Sequence, residues 1–242
     1  MVVNQEFCDM HSHLLPGMDD GCKSVEESVR VLRSSYDQGV CQIFATPHYY
    51  PVETVDTFLK RREAAMQALS KRLEQVELPV PQICLGAEVA YRPGIGYQED
   101  LEKLCLGKSR YMLLEMPSSP WSDEVVRSVR NMCSTKGIIP IIAHIEHCMP
   151  MQSRDVLMRI LEQDVLVQMN AGYLLRFSSR GNGRRLLKNG VVQLLGTDCH
   201  NMTSRKPNMG LAMAYLEKKG MTRTVREITA LSQSIFREAF GE

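Results

Sequence analysis

The chain has 242 residues, 44% of them hydrophobic and 24% charged, with 29 Lys plus Arg against 28 Asp plus Glu and a formal net charge of +1. Length and composition together supply a substantial core and exclude a disordered chain. The balanced charge excludes a general pull toward nucleic acid or an anionic membrane, so any preference for anions must be local.

Short apolar, β-branched runs alternate along the chain with longer amphipathic segments. The first run, 7–10, is followed by Ser24 and Glu27, a capping box that opens a helix, and Gly39 ends that helix in the left-handed conformation. The second run, 42–45, precedes a long charged helical segment, 54–77. Its expected buried stripe is Leu59, Ala65, Met66, Leu69, Leu73 and Val76. Runs 83–87 and 112–114 come next. Ser122 with Asp123 and Glu124 then starts a helix that Gly137 stops before run 138–143. Ser153 with Asp155 opens a helix before run 165–169, Gly190 closes another before run 191–195, and Gly220 closes one more. Thr224 and Glu227 predict a second capping box at the start of the last helix.

Seven strand-like runs, most followed by a helix, imply repeated βαβ units, because a parallel return requires a crossover. Run 138–143 is apolar on both faces, as a strand inside a ring of helices should be. No Pro-, Gly- or Ser-rich linker divides the chain, which predicts one α/β barrel-like domain over 1–242. No run approaches the about 18 apolar residues that span a bilayer, and no basic-then-apolar signal precedes Asp9; a cytoplasmic protein without membrane insertion is expected. The eight cysteines are scattered and read as reduced packing residues.

Residues just past the strand ends carry the chemistry. Strand one gives Asp9, His11 and His13; strand two gives His48; strand three gives Glu88; strand four gives Glu115; strand five gives His144; strand seven gives Asp198 and His200. Only strand six, ending at Asn170, offers no anionic or imidazole ligand. In an α/β barrel these ends converge on one face. Carboxylates crowded there cannot stay ionised without opposing charge, which divalent metals supply. An imidazole and carboxylate set without thiolate suits Mn²⁺, Fe or Zn²⁺, and Mg²⁺ less well because of the histidines. The five histidines with Glu88, Glu115 and Asp198 make eight first candidates, with Asp20 a ninth, more than one ion needs. A bridging carboxylate such as Glu88 would hold two ions about 3.5 to 4 Å apart, the clamp used for in-line phosphoryl displacement.

The segments Asp9-Met10-His11-Ser12-His13, Asp19-Asp20-Gly21, Thr46-Pro47-His48, Gly86-Ala87-Glu88, Leu114-Glu115, Ala143-His144-Ile145-Glu146 and Thr197-Asp198-Cys199-His200-Asn201 resemble the motif series of the PHP (polymerase and histidinol phosphatase) superfamily. Within it, the chain is most similar to the metal-dependent bacterial tyrosine phosphatases of capsule and exopolysaccharide systems. The resemblance implies a distorted, TIM-like (β/α)7 barrel with three divalent ions, usually manganese. It implies that His11, His13, Glu88 and Asp198 hold one ion, Glu88, Glu115 and His144 a second, and Asp20, His48 and His200 a third. It also implies a phosphotyrosine protein substrate, an autophosphorylating bacterial tyrosine kinase, and attack by a metal-bridging hydroxide. Arg205 matches a phosphate-binding arginine of the family. Where relatives commonly carry a second arginine this chain has His147, which loses a fixed bidentate donor but can bind phosphate or donate a proton when protonated.

Four other readings compete. Cys148 and Arg154 have the spacing of a cysteine-dependent phosphatase loop, but the intervening segment lacks glycine and Pro150 removes a donor. A histidinol-phosphate phosphatase would use the same scaffold. An amidohydrolase would want a bridging lysine where Glu115 stands, and the His147 departure leaves room for an inactive metal-binding module. Arg176, Arg180, Arg184 and Arg185 follow strand six, where a solvated helix face is the plain reading.

Overall fold

The computed structural model describes residues 6–241. Residues 1–5 and 242 of the expected domain lie outside it. In chain order the elements are β1 (Phe7–Asp9), α1 (Val25–Asp37), β2 (Val40–Ala45), β3 (His48–Tyr49), α2 (Val55–Leu73), β4 (Gln82–Leu85), β5 (Glu88–Ala90) and β6 (Tyr111–Glu115). They continue with α3 (Asp123–Ser134), β7 (Ile139–Ile142), α4 (Ile145–Cys148), α5 (Arg154–Leu161), β8 (Leu166–Asn170), α6 (Ala171–Leu175), α7 (Arg180–Lys188), β9 (Leu194–Gly196), α8 (Met209–Lys218) and α9 (Thr222–Phe240).

Every strand pairing is parallel, in the orders β1-β2-β4 and β3-β5-β6-β7-β8-β9. Two of the expected strands, 42–45 and 83–87, are each followed at once by a second short strand that carries the residue expected just past the strand end, His48 in β3 and Glu88 in β5. Pro47, which has no N–H for the ladder, separates β2 from β3; Gly86 and Ala87 separate β4 from β5. The first strands pair in one sheet and the second strands in the other, so the break hands the chain between sheets while keeping its direction. At the far side β1 meets β9: Met10 N–H donates to Leu195 O (3.4 Å), Asp198 N–H to His11 O (2.8 Å) and His13 N–H to Cys199 O (2.9 Å). The parallel sheet is therefore strongly curled.

Both strand faces are apolar because each packs on a different core. In β6, Met112 and Leu114 join the layer under the helices, whereas Leu113 points to the concave side. There it meets Cys8, Met10, Phe44, Ile141 and Leu194 from the other strands. The concave core is closed by α9, which inserts Ile235, Phe236 and Ala239, with the Phe236 ring 5.1 Å from that of Phe44. Phe236→Ala should cost about 3 to 5 kcal/mol of stability, read as a lower urea midpoint.

Helix starts follow the sequence signals with one exception. Ser24, Thr54 and Ser153 each accept a hydrogen bond from the backbone N–H three residues on, and Gly39, Gly137, Gly190 and Gly220 all have positive φ. Thr224, expected at a cap, lies inside α9. That helix begins right after the turn at Gly220, Val225 N–H reaches Met221 O (3.0 Å), and Glu227 pairs with Arg223 (2.7 Å) instead of reaching back to a cap. In α2 the buried positions are Val55, Phe58 and Leu69; Leu59, Ala65, Met66 and Leu73 are only partly covered, and Val76 falls beyond the helix end. Among the described residues no helix is long and apolar enough to cross a membrane.

Candidate metal centre

The C-terminal strand ends bring His11, His13, Asp20, His48, Glu88, Glu115, His144, Asp198 and His200 into one cluster. Two of these residues take conformations that side chains with a Cβ rarely adopt: His144 (φ 29°) and Asp198 (φ 53°). Such residues cost on the order of 1 to 3 kcal/mol each and persist only where the surroundings hold them.

Hydrogen bonds on the far ring nitrogens fix which imidazole nitrogen faces the centre. His13 Nδ1–H donates to Asp19 Oδ2 (2.8 Å), and His200 Nδ1–H to the carbonyl of Asp198 (3.0 Å). His11 Nδ1 faces Gln168 Oε1 (3.4 Å). The Nε2 lone pairs therefore point inward, the orientation a metal ligand requires. His11 Nε2 and His13 Nε2 lie 3.0 Å apart, each 3.2 Å from Glu88 Oε2, and 3.6 and 3.4 Å from Asp198 Oδ1. His48 Nδ1 is 3.0 Å from Glu88 Oε2, and His144 Nε2 is 2.7 Å from Glu88 Oε1. Glu115 stands 3.9 Å from His48 and 3.8 Å from His144; Asp20 stands 3.6 Å from His48 and 3.2 Å from His200.

Four atoms of this cluster are buried without a hydrogen-bond partner: His48 Nδ1, Glu88 Oε2, Asp198 Oδ1 and His200 Nε2. Buried polar atoms without partners are costly, and four converging at one place suit a cation that accepts all their lone pairs. Proton affinities carry the same demand. Burial disfavours charge on His13, yet hydrogen bonds to Asp19 and Glu88 raise it to about 10; His144, equally opposed by burial, is raised to about 9 by Glu88. Glu115 is pushed up by burial and by the neighbouring charge of Glu88. The carboxylates thus draw positive charge into the cluster, and divalent ions fit this donor set. Three groups have donor atoms within 4.8 Å of one another: His13, Asp20, His48 and His200; His11, His13 and Asp198; His48, Glu88 and Glu115. These groups place His13 and His48 between neighbouring positions.

The sequence left the supporting residues unassigned. Asp19 accepts from His13 Nδ1–H, Gly21 N–H (2.8 Å) and His48 N–H (2.9 Å), and its acidity rises to a pKa of about 2; burial opposes this shift, and the His13 and backbone hydrogen bonds drive it. Gly21 has no room for a Cβ, which would collide with the His13 carbonyl. Asp9 does not face the centre. It is buried and accepts from Thr197 N–H (2.8 Å), Thr197 Oγ1–H (2.5 Å) and His11 N–H (3.3 Å), tying β1 to β9. Gln168, fully buried in β8, accepts from His144 N–H (2.7 Å) and donates to Asn170 Oδ1 (3.0 Å), and Asn170 in turn donates to Asp198 Oδ2 (2.8 Å). Strand six therefore orients ligands without being one; the signal was a lone Gln between Val167 and Met169. Asp19→Asn should lower metal affinity and turnover 10- to 100-fold, roughly the usual loss for an orienting partner, as read by metal titration of the rate.

Arg205 borders the centre, with Nη2 2.6 Å from Asp198 Oδ2 and Nη1 3.8 Å from Asp20 Oδ2. Its side chain is 43% exposed, so it can still meet an incoming anion. His147 is exposed, and its ring stacks on that of His144 at 4.7 Å; burial of the imidazole face and the neighbouring His144 lower its pKa. Both line a cavity of about 420 Å³ beside the ligands, together with Asp198, Tyr173, Arg176 and Leu211. Glu146, buried next to His147, accepts from Asn170 N–H (3.0 Å) and secures α4 to the end of β8. Cys148 lies on the other side of α4, buried, with its Sγ near Ile145 O (3.6 Å) and burial raising its pKa to about 12. A thiol so placed is a packing group, and all eight cysteines are free.

Fold and site define an α/β protein whose strand ends build a buried imidazole and carboxylate centre suited to divalent cations. The chain belongs to the family described as "Capsular polysaccharide synthesis, CpsB/CapC", which is matched over residues 7–235. It is 29% identical over 246 residues to the tyrosine-protein phosphatase YwqE of Bacillus subtilis (strain 168), covering 95% of this chain and 94% of the relative. With the tyrosine-protein phosphatase CpsB of Streptococcus pneumoniae it shares 29% identity over 239 residues, 91% and 93% of the two chains. A crystal structure from work on YwqE and CpsB, described there as unique metal-dependent tyrosine phosphatases, superposes with a TM-score of 0.82 and 25% identity. That match covers 96% of this chain and 94% of the other.

Proposed function

We propose that this chain is a metal-dependent phosphomonoester hydrolase acting on protein phosphotyrosine, built on a single distorted (β/α)7 TIM-like domain of the PHP type. The observation that carries this reading is the convergence of five imidazoles and four carboxylates on one strand-end face, with four buried donor atoms lacking partners. The backbone bonds from β1 to β9 support the closed barrel. His11, His13, Asp20, His48, Glu88, Glu115, His144, Asp198 and His200 would hold three ions, with manganese the best fit to this mixed donor set and Fe, Zn or Mg also able to bind. When bound, such ions neutralise a phosphate dianion and lower the pKa of water.

The protein's own groups do the rest. Arg205, anchored by one nitrogen on Asp198, directs its remaining N–H groups to the nonbridging phosphate oxygens. His147, held flat on His144, stands where it can give a proton to the departing tyrosyl oxygen. That leaving group has a pKa near 10, so it needs little acid assistance. The substrate we propose is a tyrosine kinase of polysaccharide export, met in the cytoplasm; the relatives' names, tyrosine-protein phosphatase, and the capsular-polysaccharide family support a phosphotyrosine protein in that setting. The test is kcat/KM on a phosphotyrosine peptide against histidinol phosphate at fixed Mn²⁺. The peptide should be preferred at least about tenfold, a difference of roughly 1.4 kcal/mol in transition-state binding. Preference for histidinol phosphate would assign the same centre to a small-molecule phosphatase.

A further inference from the structure

Between Asp164 and Asp198 the sequence holds five basic residues and no carboxylate: Arg176, Arg180, Arg184, Arg185 and Lys188. Four of them recur every fourth residue, from Arg176 to Lys188. Arg180, Arg184 and Lys188 form one stripe along α7, and Arg176, extended at the end of α6, stands one turn before it with its O accepting from Arg180 N–H (3.0 Å), so that it continues the stripe toward the cluster. At about 1.5 Å per residue the stripe is about 18 Å long. One end lies in the catalytic cavity, which Arg176 lines. The other opens into a second cavity of about 520 Å³, walled by Arg184, Arg185, Lys188, Lys219 and Arg223 and by no acidic residue.

This arrangement works against the helix that carries it. Like charges four residues apart repel, and a cation at the first position of a helix opposes its dipole; α7 starts with Arg180 and has no acid in its first turn. Among the described residues none of the five basic side chains has a carboxylate within ion-pairing distance, although Arg223 has Glu227. Arg180 instead lies over the rings of Phe177 (4.5 Å) and Tyr215 (5.9 Å), and Arg184 over Tyr215 (6.0 Å) with its Nε buried and unpartnered. The guanidinium groups are held in place and left uncompensated. In a chain of net charge +1 this is a local feature, and it starts at the cavity where the phosphate would sit.

We propose that the stripe is a docking track for an acidic segment of the substrate polypeptide, flanking the phosphotyrosine by about five residues at the about 3.4 Å per residue of an extended chain. The inference rests on the phosphatase reading for its orientation. The concave ends and the narrow line of charge match an extended peptide better than a flat bilayer. The anionic groups can be glutamates and aspartates or further phosphotyrosines.

The test uses three peptides with one central phosphotyrosine, flanked by four glutamates, by four glutamines, or by glutamines and a second phosphotyrosine. At low ionic strength the native enzyme should show about tenfold higher kcat/KM on the glutamate peptide than on the glutamine peptide, since three exposed charge contacts are each worth about twofold or more. The advantage should vanish at high salt. It should vanish also in Arg180→Gln/Arg184→Gln/Lys188→Gln and survive in Arg180→Lys/Arg184→Lys. Behaviour of the doubly phosphorylated peptide like that of the glutamate peptide would make phosphate an equally good occupant. Fluorescence anisotropy of the glutamate peptide with tyrosine in place of phosphotyrosine reads the track without catalysis, so its result stands even if phosphotyrosine proves not to be the substrate. Equal rates on acidic and neutral peptides, or a preference that the glutamine variant keeps, would overturn the proposal. Tighter variant-sensitive binding to an oligonucleotide or to phosphatidylglycerol vesicles would overturn the polypeptide assignment.

Discussion

Glu88→Gln is expected to lower kcat/KM on an aryl phosphate by more than about 100-fold while leaving a cooperative thermal transition. Orienting partners of metal ligands cost about 10- to 100-fold, and a group shared among ligands must exceed that. Glu88 is fully buried, and its two oxygens lie 3.2 Å or less from His11, His13, His48 and His144. Burial raises its pKa, but His11, His13 and His144 overcome this and hold it well below the carboxylate range. A glutamine removes the charge and turns an N–H₂ group toward imidazole nitrogens or a cation. Bound metal should fall with the rate, as measured by elemental analysis of the same sample.

Exhaustive chelation should abolish turnover, with Mn²⁺ restoring it, whereas Cys148→Ser should retain activity within about twofold. A cysteine nucleophile must be a thiolate, and burial pushes the Cys148 thiol the other way, to about 12. Its segment also fails as a phosphate cradle. Residues 149–151 form a short 3₁₀ turn that contains Pro150, and Arg154 opens α5 as an exposed residue, whereas Cys148 is buried. A chelator-resistant enzyme silenced by Cys148→Ser would transfer the chemistry to the thiol.

Strand positions were legible because both faces of each strand are apolar, and strand-end residues could be listed because parallel α/β architecture sends every strand end to one face. His11, His13, Glu88, His144 and Asp198 were therefore nameable as neighbours before any coordinates. The short strands β3 and β5 were not, since two or three residues beginning with a polar His48 or Glu88 carry no apolar run and only tertiary pairing shows the change of sheet. Gln168 and Asp19 went unassigned for a related reason. Their work is to hold other groups through hydrogen bonds: Gln168 reaches His11 across 157 residues, which no local spacing encodes, and Asp19 turns toward His13 and the His48 N–H only because the loop folds back onto the strand-end face. The misplaced cap at Thr224 has a local cause: Thr-x-x-Glu occurs inside helices as readily as at their starts, and here the Gly220 turn leads directly into Thr222.

Periodicity alone reads the basic stripe on α7 as a solvated face. In the structure one end lies in the cavity beside the ligand cluster, and among the described residues no carboxylate pairs with the stripe.

The central claim is that the strand-end cluster works only as a metal centre. Native mass spectrometry of the purified chain, with phosphotyrosine-peptide hydrolysis followed on the same preparation during stepwise metal removal, tests it most directly. The account predicts three divalent ions per chain and a rate that falls to background as they leave. A chain that hydrolyses the peptide at full rate with no ion bound would contradict it.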